Sequence, residues 1–182
     1  MQCPRCHGET AERVEVCPQC AFTFAVLDAQ LPPPPSQAGH INDLAGILTA
    51  AEASRLDQRC QAVFASTQVE LIVVTVPTTA PLQPTEYIFW LANRWDMGGL
   101  ENRGLLILLA LQERRIESEV GYALESLLSD AESSRILHLH VVPFLHNGQY
   151  AAGLYQAVDV LGKFFEAAYR AATRTGWRKF FA

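Results

Sequence analysis

A hydrophobic segment followed almost at once by an alternating one limits the fold of this chain more than any other feature. Residues 104–111 are apolar almost throughout, and after Gln112, Glu113 and Arg114 the segment Arg115–Val120 alternates charged with apolar or small side chains. The first pattern predicts a strand buried on both faces, and the second predicts a half-exposed edge strand. Only an antiparallel hairpin fits three intervening residues, because a parallel return needs a crossover of a dozen residues or more.

The segments on either side of the hairpin predict a sheet covered by helices. A second buried strand is predicted at residues 69–76, and helices are predicted at about 84–95 and 148–172. Capping boxes at positions 49–52 and 129–132 mark the starts of two further helices. The fold class is therefore α/β, with a central mixed sheet.

Four of the five cysteines form a repeated pattern, Cys3-Pro4-Arg5-Cys6 and Cys17-Pro18-Gln19-Cys20. Two such turns bring four thiolates to one tetrahedral Zn²⁺, so the pattern predicts a zinc ribbon with structural zinc held by Cys3, Cys6, Cys17 and Cys20. About 25 residues cannot bury a core of useful size, so the metal would supply most of the folding free energy of this piece. Two disulfides, or a redox pair at one C-x-x-C, are the competing interpretations.

A run of four prolines at positions 32–35 separates the cysteines from the rest of the chain. It predicts a semi-rigid polyproline II spacer that keeps the ribbon from docking tightly unless something else holds it. We therefore expect a zinc ribbon at 1–30, a linker at 31–39, the main domain at 40–172 and a basic aromatic tail at 173–182. The tail is typical of a segment that touches a partner or the surface of a membrane, or of a frayed helix end.

Composition and charge exclude several classes of protein. The chain has 14 basic and 19 acidic residues among 182, and this formal charge of −5 argues against nucleic acid as a partner. Its longest apolar stretches have about eight residues, well short of the roughly 18 needed to span a bilayer. Residues 1–20 carry four cysteines, three glutamates and two arginines, unlike a secretory signal. We expect a cytoplasmic protein without a transmembrane segment.

The hairpin also predicts a cluster of oxygen ligands. The start of one strand and the end of its antiparallel partner lie at the same end of a sheet, so Asn102 and Gly121 should be neighbours. Oxygen-bearing side chains flank this point, and such ligands suit Ca²⁺ or Mg²⁺; they belong to Asp96, Glu101, Tyr122, Glu125 and Asp130. The alternative is that these are solvated loop side chains and that Asp130 stabilises the first turn of a helix.

Six segments together resemble one known family, the TPM domain, over about residues 40–165. They read Ile41-Asn42-Asp43-Leu44-Ala45-Gly46-Ile47-Leu48, Val69-Glu70-Leu71-Ile72-Val73-Val74-Thr75-Val76, Trp95-Asp96-Met97-Gly98, Asn102-Arg103-Gly104-Leu105-Leu106, Glu119-Val120-Gly121-Tyr122-Ala123-Leu124-Glu125 and Pro143-Phe144. The resemblance implies a three-layer α/β/α sandwich with an acidic apical site for Ca²⁺ or a similar cation. It also implies acid phosphatase activity in some members.

The resemblance carries the apical site to Asp43, Asn102 and Asp130, with Glu125 close by. The sequence departs from the family pattern at Arg103 and Ala123. An arginine beside the site would offset the charge of a cation or clamp a phosphate.

Three functions follow, in order of preference. The first is a cation-binding interaction module that assists assembly or repair of a complex, with a protein partner and with the zinc ribbon as its second contact surface. The second is a metal-assisted phosphatase that hydrolyses phosphomonoesters, with Asp43 or Asp130 as ligand or general base. The third is a nucleic-acid adaptor, which the net charge disfavours.

Overall fold

The computed structural model describes residues 3–6, 8 and 16–174, and its centre is a four-stranded mixed sheet. The strands are β1 (Ile41–Asp43), β2 (Glu70–Val76), β3 (Gly104–Ala110) and β4 (Arg115–Val120). They lie side by side in chain order; β1, β2 and β3 are parallel, and β4 returns antiparallel to β3. The predicted hairpin is confirmed.

Helices cover both faces of this sheet, which makes the fold a three-layer α/β/α sandwich. They are α1 (Phe24–Asp28), α2 (Ala50–Thr67), α3 (Pro84–Arg94), α4 (Asp130–His140), α5 (Val142–His146) and α6 (Tyr150–Arg174). Two short 3-10 turns, Gly99–Glu101 and Tyr122–Leu124, flank the hairpin. α2, α4 and α6 pack on one face, and α1 and α3 pack on the other.

The two central strands are apolar along their whole length because both of their faces are covered. In β2, Leu71 and Val73 face α2 and α6, whereas Ile72 and Val74 face α3, and all four are fully buried. Burial of such a side chain contributes about 1.5–3 kcal/mol. The sheet therefore carries two separate hydrophobic cores.

Both predicted capping boxes are present. The Thr49 and Ser129 hydroxyls accept the backbone N–H groups of Glu52 and Glu132, each at 3.3 Å, and both glutamates bond back to the capping residues. Each cap stabilises its helix by about 1 kcal/mol.

The outer strand β4 is less exposed than its alternating pattern suggests. Glu117 is only 8% exposed and pairs with Arg115 at 2.6 Å. Its face of the strand is flanked by α3 and Pro4, which shield it from most of the solvent. Alternation identified the strand, but it could not show that a distant segment covers the polar side.

The first segment of the chain, here called the cysteine module (residues 3–6, 8 and 16–28), is held firmly on α3. Phe22 and Leu27 are buried in the same core as Ile88 and Leu91. The proline run thus does not keep the module apart, because contacts with α3 hold it.

Polar contacts reinforce this docking. Arg5 donates to Glu86 at 2.6 Å, and Asp28 accepts hydrogen bonds from the Trp90 indole at 2.9 Å and from Arg94 Nε at 3.1 Å. The pKa of Asp28 is lowered by the hydrogen bonds from Arg94 and Trp90. The module and α3 therefore form one packed unit.

Two sequence predictions concern the ends of the chain and its relation to membranes. Of the basic aromatic tail predicted at 173–182, residues 175–182 lie outside the described residues. None of the helices within residues 16–174 is both long and apolar enough to cross a bilayer.

Candidate functional site

The four cysteines of the two C-P-x-C motifs come together in one cluster. Cys3 Sγ lies 3.7 Å from Cys20 Sγ, and Cys6 Sγ lies 3.7 Å from Cys17 Sγ. All four sulfurs are within 4.8 Å of one another, and they are not bonded as disulfides. Sulfurs bound to one Zn²⁺ at 2.3 Å stand about 3.8 Å apart, along the edges of a tetrahedron. The cluster therefore fits a single tetrahedral metal ion.

Each motif closes a similar turn that presents its sulfurs to the metal position. The Cys3 N–H donates to the Gly8 carbonyl at 2.9 Å, and the Cys17 N–H donates to the Phe22 carbonyl at 2.8 Å. Backbone hydrogen bonds from Cys20 and Gln19 lower the pKa of Cys17 to about 7, whereas burial raises the pKa of Cys20 to about 12. Four thiolates this close repel one another, so their joint deprotonation requires a cation.

A second polar site lies where β3 begins and β4 ends. The Gly121 N–H donates to the Gly104 carbonyl at 2.7 Å, and the Ala123 N–H donates to the Asn102 carbonyl at 3.3 Å. Asn102 and Gly121 are thus neighbours, as the hairpin predicted. Beside them is a cavity of about 140 Å³, here called the apical pocket. Its polar lining consists of Asn93, Asp96, Asn102, Glu119, Tyr122 and Glu125.

Gly121 permits this close approach of the two strand ends. A Cβ atom at this position would lie 2.3 Å from the Asn102 carbonyl oxygen and 2.7 Å from the Gly104 carbonyl oxygen. Contacts under 3.0 Å cannot be accommodated without movement of the backbone. The glycine therefore fixes the position of Asn102 at the rim of the pocket.

Glu119 has the most perturbed acid group of this site. Burial raises its pKa well above the ordinary value, and the nearby charges of Asp130 and Glu125 raise it further. Burial also raises the pKa of Asp130, although the N–H of Val120 partly offsets this by donating to its carboxylate at 3.1 Å. A cation that entered the pocket would relieve the repulsion among these carboxylates.

The structure brings together only part of the predicted apical set. Asn102 and Glu125 line the pocket, together with Asp96 and Tyr122. Asp130 begins α4, accepts the Val120 N–H of β4 and does not line the pocket. A group of three or more Cys, His, Asp or Glu side chains can hold a metal ion when their ligand atoms lie within 4.8 Å of one another. Among the described residues, only the four cysteines form such a group. The acidic pocket is thus an open cluster and not a closed cage.

Asp43 lies at the opposite end of the sheet. It stands opposite Thr75, which stands opposite Leu109 in β3, five residues beyond Gly104. Five residues of strand span roughly 17 Å, so Asp43 is remote from Asn102. Its carboxylate accepts the N–H groups of Ile47 and Leu48 at 3.2 and 2.8 Å and the hydroxyl of Thr75. In this structure Asp43 organises the loop before α2.

Arg103 does not face the pocket either. It is 9% exposed; its guanidinium donates to the Thr67 carbonyl at 3.2 Å and to Glu101 at 3.3 Å. Among the residues that the structure describes, no Lys or Arg lines the apical pocket. A phosphate that entered would therefore meet carboxylates without an arginine to hold it.

Glu119 is the site residue that the sequence did not single out. Its place in the alternating pattern of β4 assigned it to the solvent side. In the register of the hairpin it stands opposite Leu106, whose side chain is fully buried on the α3 face. A carboxylate that stands opposite a fully apolar central strand lies on a covered face. This pairing could therefore have identified Glu119 from the sequence.

The fold and its acidic end define this chain as an α/β/α domain of a recognised type. The TPM domain family matches residues 41–164. The chain therefore belongs to the TPM domain family, and its family resemblance is confirmed.

Solved structures share the same fold. The N-terminal domain of a protein from P. gingivalis is 33% identical, with a TM-score of 0.67 over 71% of this chain and 83% of that one. The N-terminal domain of the cg2496 protein from Corynebacterium glutamicum is 16% identical, with a TM-score of 0.57 over 74% and 85%. The BA42 protein from the psychrophilic bacterium Bizionia argentinensis is 19% identical, with a TM-score of 0.54 over 67% and 83%. No curated protein matches this chain.

Proposed function

We propose that this protein is a binding module whose apical pocket takes up a cation and contacts a protein partner. The main observation behind this proposal is the lining of the pocket, which offers three carboxylates and two amides and, among the described residues, no basic side chain. Oxygen ligands of this kind suit Ca²⁺ or Mg²⁺, which complete their coordination with water. The function is cation-dependent interaction, as in assembly or repair of a complex.

The rim of the pocket supports a contact with protein. Tyr122 is 51% exposed beside the carboxylates of Glu119 and Glu125. Exposed tyrosines are enriched among the residues that dominate binding energy at interfaces, because the ring buries a large area and the hydroxyl keeps a hydrogen bond. An aromatic group beside a charged pocket gives a partner both an anchor and an orientation.

The cysteine module supplies a second surface on the same face of the sheet. The four sulfurs would hold one structural Zn²⁺, which fixes the two turns of the module against α3. The charge of −5 disfavours a nucleic-acid partner for this surface. A protein partner is therefore proposed for the module as well as for the pocket.

A metal-assisted acid phosphatase is the second candidate. The raised pKa of Glu119 favours it, because a carboxyl that stays protonated in mild acid can act as a general acid. Two features count against it. The pocket has about 140 Å³, below the roughly 300 Å³ at which small-molecule sites begin, and no arginine of the described chain faces it. Binding thus explains the lining better than hydrolysis does.

Calorimetric titration with Ca²⁺ and Mg²⁺ distinguishes the two functions when the same samples are assayed with an aryl phosphate. The wild type is compared with the double variant Glu119→Gln, Glu125→Gln, and Glu101→Gln serves as a matched control on an exposed carboxylate. We expect the wild type to bind the cation and the double variant to bind it at least tenfold more weakly. We expect no turnover of the aryl phosphate in any sample. Metal-dependent turnover that the double variant lacks would establish the phosphatase instead, and absence of cation binding in the wild type would refute the proposal.

A further inference from the structure

The outer edge of β4 carries backbone groups that face away from the sheet. β4 is the last strand, and Gly104 and Gly121 form a hydrogen-bonded pair across the hairpin. Such pairs alternate in antiparallel strands, so the peptide groups of Ile116, Ser118 and Val120 point outward. The Val120 N–H donates to Asp130, but within residues 3–6, 8 and 16–174 nothing hydrogen-bonds to the N–H of Ile116 or Ser118.

This edge forms the floor of a continuous groove, here called the edge groove. A cavity of about 250 Å³ lies over Ser118 between Pro4 and Thr85 on one side and Ala131 on the other. A second cavity of about 600 Å³ extends it past Ile116, and Arg115, Glu117 and Ser134 line both. The groove thus runs along the strand, with the cysteine module and α3 as one wall and α4 as the other.

The two ends of the edge groove have opposite charge. Arg114, Arg115 and Arg135 line it near the turn of the hairpin, together with His138 and His146. Glu119 and Asp130 line it at the other end. An occupant with acidic side chains at one end and basic side chains at the other therefore matches the groove.

A second copy of this chain matches it less well. In the two-fold antiparallel register that pairs Ile116 of one copy with Ser118 of the other, Arg115 would stand opposite Glu119, but at the centre Glu117 would stand directly opposite Glu117 of the other copy. Like charges placed directly opposite destabilise a strand pair. Natural edge strands use such charges against self-association.

We propose that the edge groove binds an extended peptide segment of a partner protein, which adds to β4 as a fifth strand, with acidic side chains near Arg114 and Arg135 and basic ones near Glu119 and Asp130. Added strands bind through main-chain hydrogen bonds, here to Ile116 and Ser118, and gain specificity from alternate side chains. The inference deepens the proposed binding function and rests on it, because it names the class of partner.

Fluorescence anisotropy with two synthetic peptides tests the proposal. Both peptides have a central Val-Thr-Val-Thr-Val sequence; one carries two Glu before it and two Lys after it, and the other carries the reverse order. Each charge order fits one strand direction, so we expect one peptide to bind at least tenfold more tightly than the other at low salt. Replacing the central Val of the tighter-binding peptide by Pro removes a backbone donor and should weaken its binding about tenfold.

Two protein variants and a control locate the binding. Arg135→Glu changes an exposed side chain of α4 and should weaken binding of the preferred peptide about tenfold. Arg170→Glu changes an exposed side chain of α6 and should leave this binding unchanged. Ile116→Pro removes one outward N–H while leaving the bonds to β3 in place, and should have a similar effect to Arg135→Glu. Because Arg135 is exposed, its variant stays interpretable if Ile116→Pro fails to fold.

The outcomes separate this inference from the proposed function. Three results would overturn the proposal for the edge groove. They are equal affinity for both peptides, peptide affinity that Arg135→Glu does not change, and no binding at millimolar peptide. The same samples are titrated with Ca²⁺ and assayed with the aryl phosphate. Cation binding without peptide binding would refute only the edge groove, whereas metal-dependent turnover would refute the binding function.

Discussion

At Glu119, burial and charge act on the same carboxyl group. Burial and the neighbouring Asp130 and Glu125 raise its pKa, so the native protein keeps this proton at a pH where the unfolded chain has lost it. Above the ordinary glutamate pKa of about 4.3, the native state thus binds more protons than the unfolded state, and stability falls as pH rises toward the raised pKa. The residue weakens the fold at neutral pH and prepares the pocket for a cation.

We predict that Glu119→Gln raises the free energy of unfolding at pH 7. The amide removes a half-buried charge and its repulsion with two carboxylates, while keeping the size of the side chain. Urea unfolding between pH 4.5 and 8 should show a smaller decline of stability with pH in the variant than in the wild type. Some decline should remain, because the pKa of Asp130 is also raised.

The exposed Glu101 gives the matched control for this prediction. Its side chain is 69% exposed, and the amide oxygen of Gln can still accept from Arg103, so Glu101→Gln should change stability by less than about 0.5 kcal/mol. A wild type whose stability rises from pH 4.5 to 8, or a Glu119→Gln variant that is less stable than the wild type at pH 7, would show that Glu119 is well paired instead.

Gly121 permits a second prediction at the scale of a single residue. In Gly121→Ala the new Cβ would meet the Asn102 carbonyl oxygen at 2.3 Å, so the ends of β3 and β4 must separate. We expect a loss of about 2 kcal/mol in unfolding free energy and weaker cation binding at the pocket. Urea unfolding and calorimetric titration measure both, with Ala123→Ser as the exposed neighbouring control. Unchanged stability would contradict the geometry of the hairpin end.

At the scale of elements, local patterns predicted most of the fold. The buried strands, the capping boxes and the hairpin follow from local apolar runs, cap residues and a three-residue connection, so all of them were predictable. The position of Asp43 was not, because its side chain bonds across the sheet to Thr75 and its distance from Asn102 depends on strand order. The covering of Glu117 and Glu119 depends on α3 and Pro4, which lie far away in the sequence.

The prediction at the scale of elements concerns the ion pairs between α2 and α6. Arg59 of α2 donates to Asp159 at 3.1 Å and to Glu166 at 2.6 Å, and all three side chains are 20% exposed or less. Arg59→Ala removes the partner of Glu166 and leaves Asp159 paired with Lys163 alone, so it should cost about 2–3 kcal/mol of unfolding free energy. Urea unfolding checks this against Arg170→Ala, an exposed α6 residue expected to cost less than about 0.5 kcal/mol. Equal costs would mean that the ion pairs do not hold the two helices together.

At the scale of the whole molecule, the cysteine module and the sandwich differ in how they depend on metal. The core on the α2, α4 and α6 face contains no residue of the module, whereas the other core includes Cys3, Cys17, Phe22 and Leu27. Loss of metal should therefore release the module without unfolding the sandwich. One wall of the edge groove would be lost with it.

We predict about one zinc ion per chain by elemental analysis of protein purified without chelator. Removal of this zinc should lower the melting temperature by about 10 °C, since undocking exposes the buried Phe22 and Leu27 and costs about 3 kcal/mol. Tryptophan fluorescence should change because Trp90 contacts the module through Asp28, while far-UV circular dichroism should largely persist. Near-zero zinc with two disulfides by mass spectrometry, or complete unfolding on chelation, would contradict this account.

The central claim is that a cation binds at the apical pocket, where β3 begins and β4 ends. Titration of ¹⁵N-labelled protein with Ca²⁺, followed by amide chemical shifts, tests it most directly because it reports on the non-proline residues along the chain in one experiment. The account predicts shifts concentrated at Asn102, Gly121, Tyr122 and Glu125, with none in the loop that Asp43 organises. Shifts centred on Asp43 and residues 44–48, or no shifts at millimolar Ca²⁺, would contradict it.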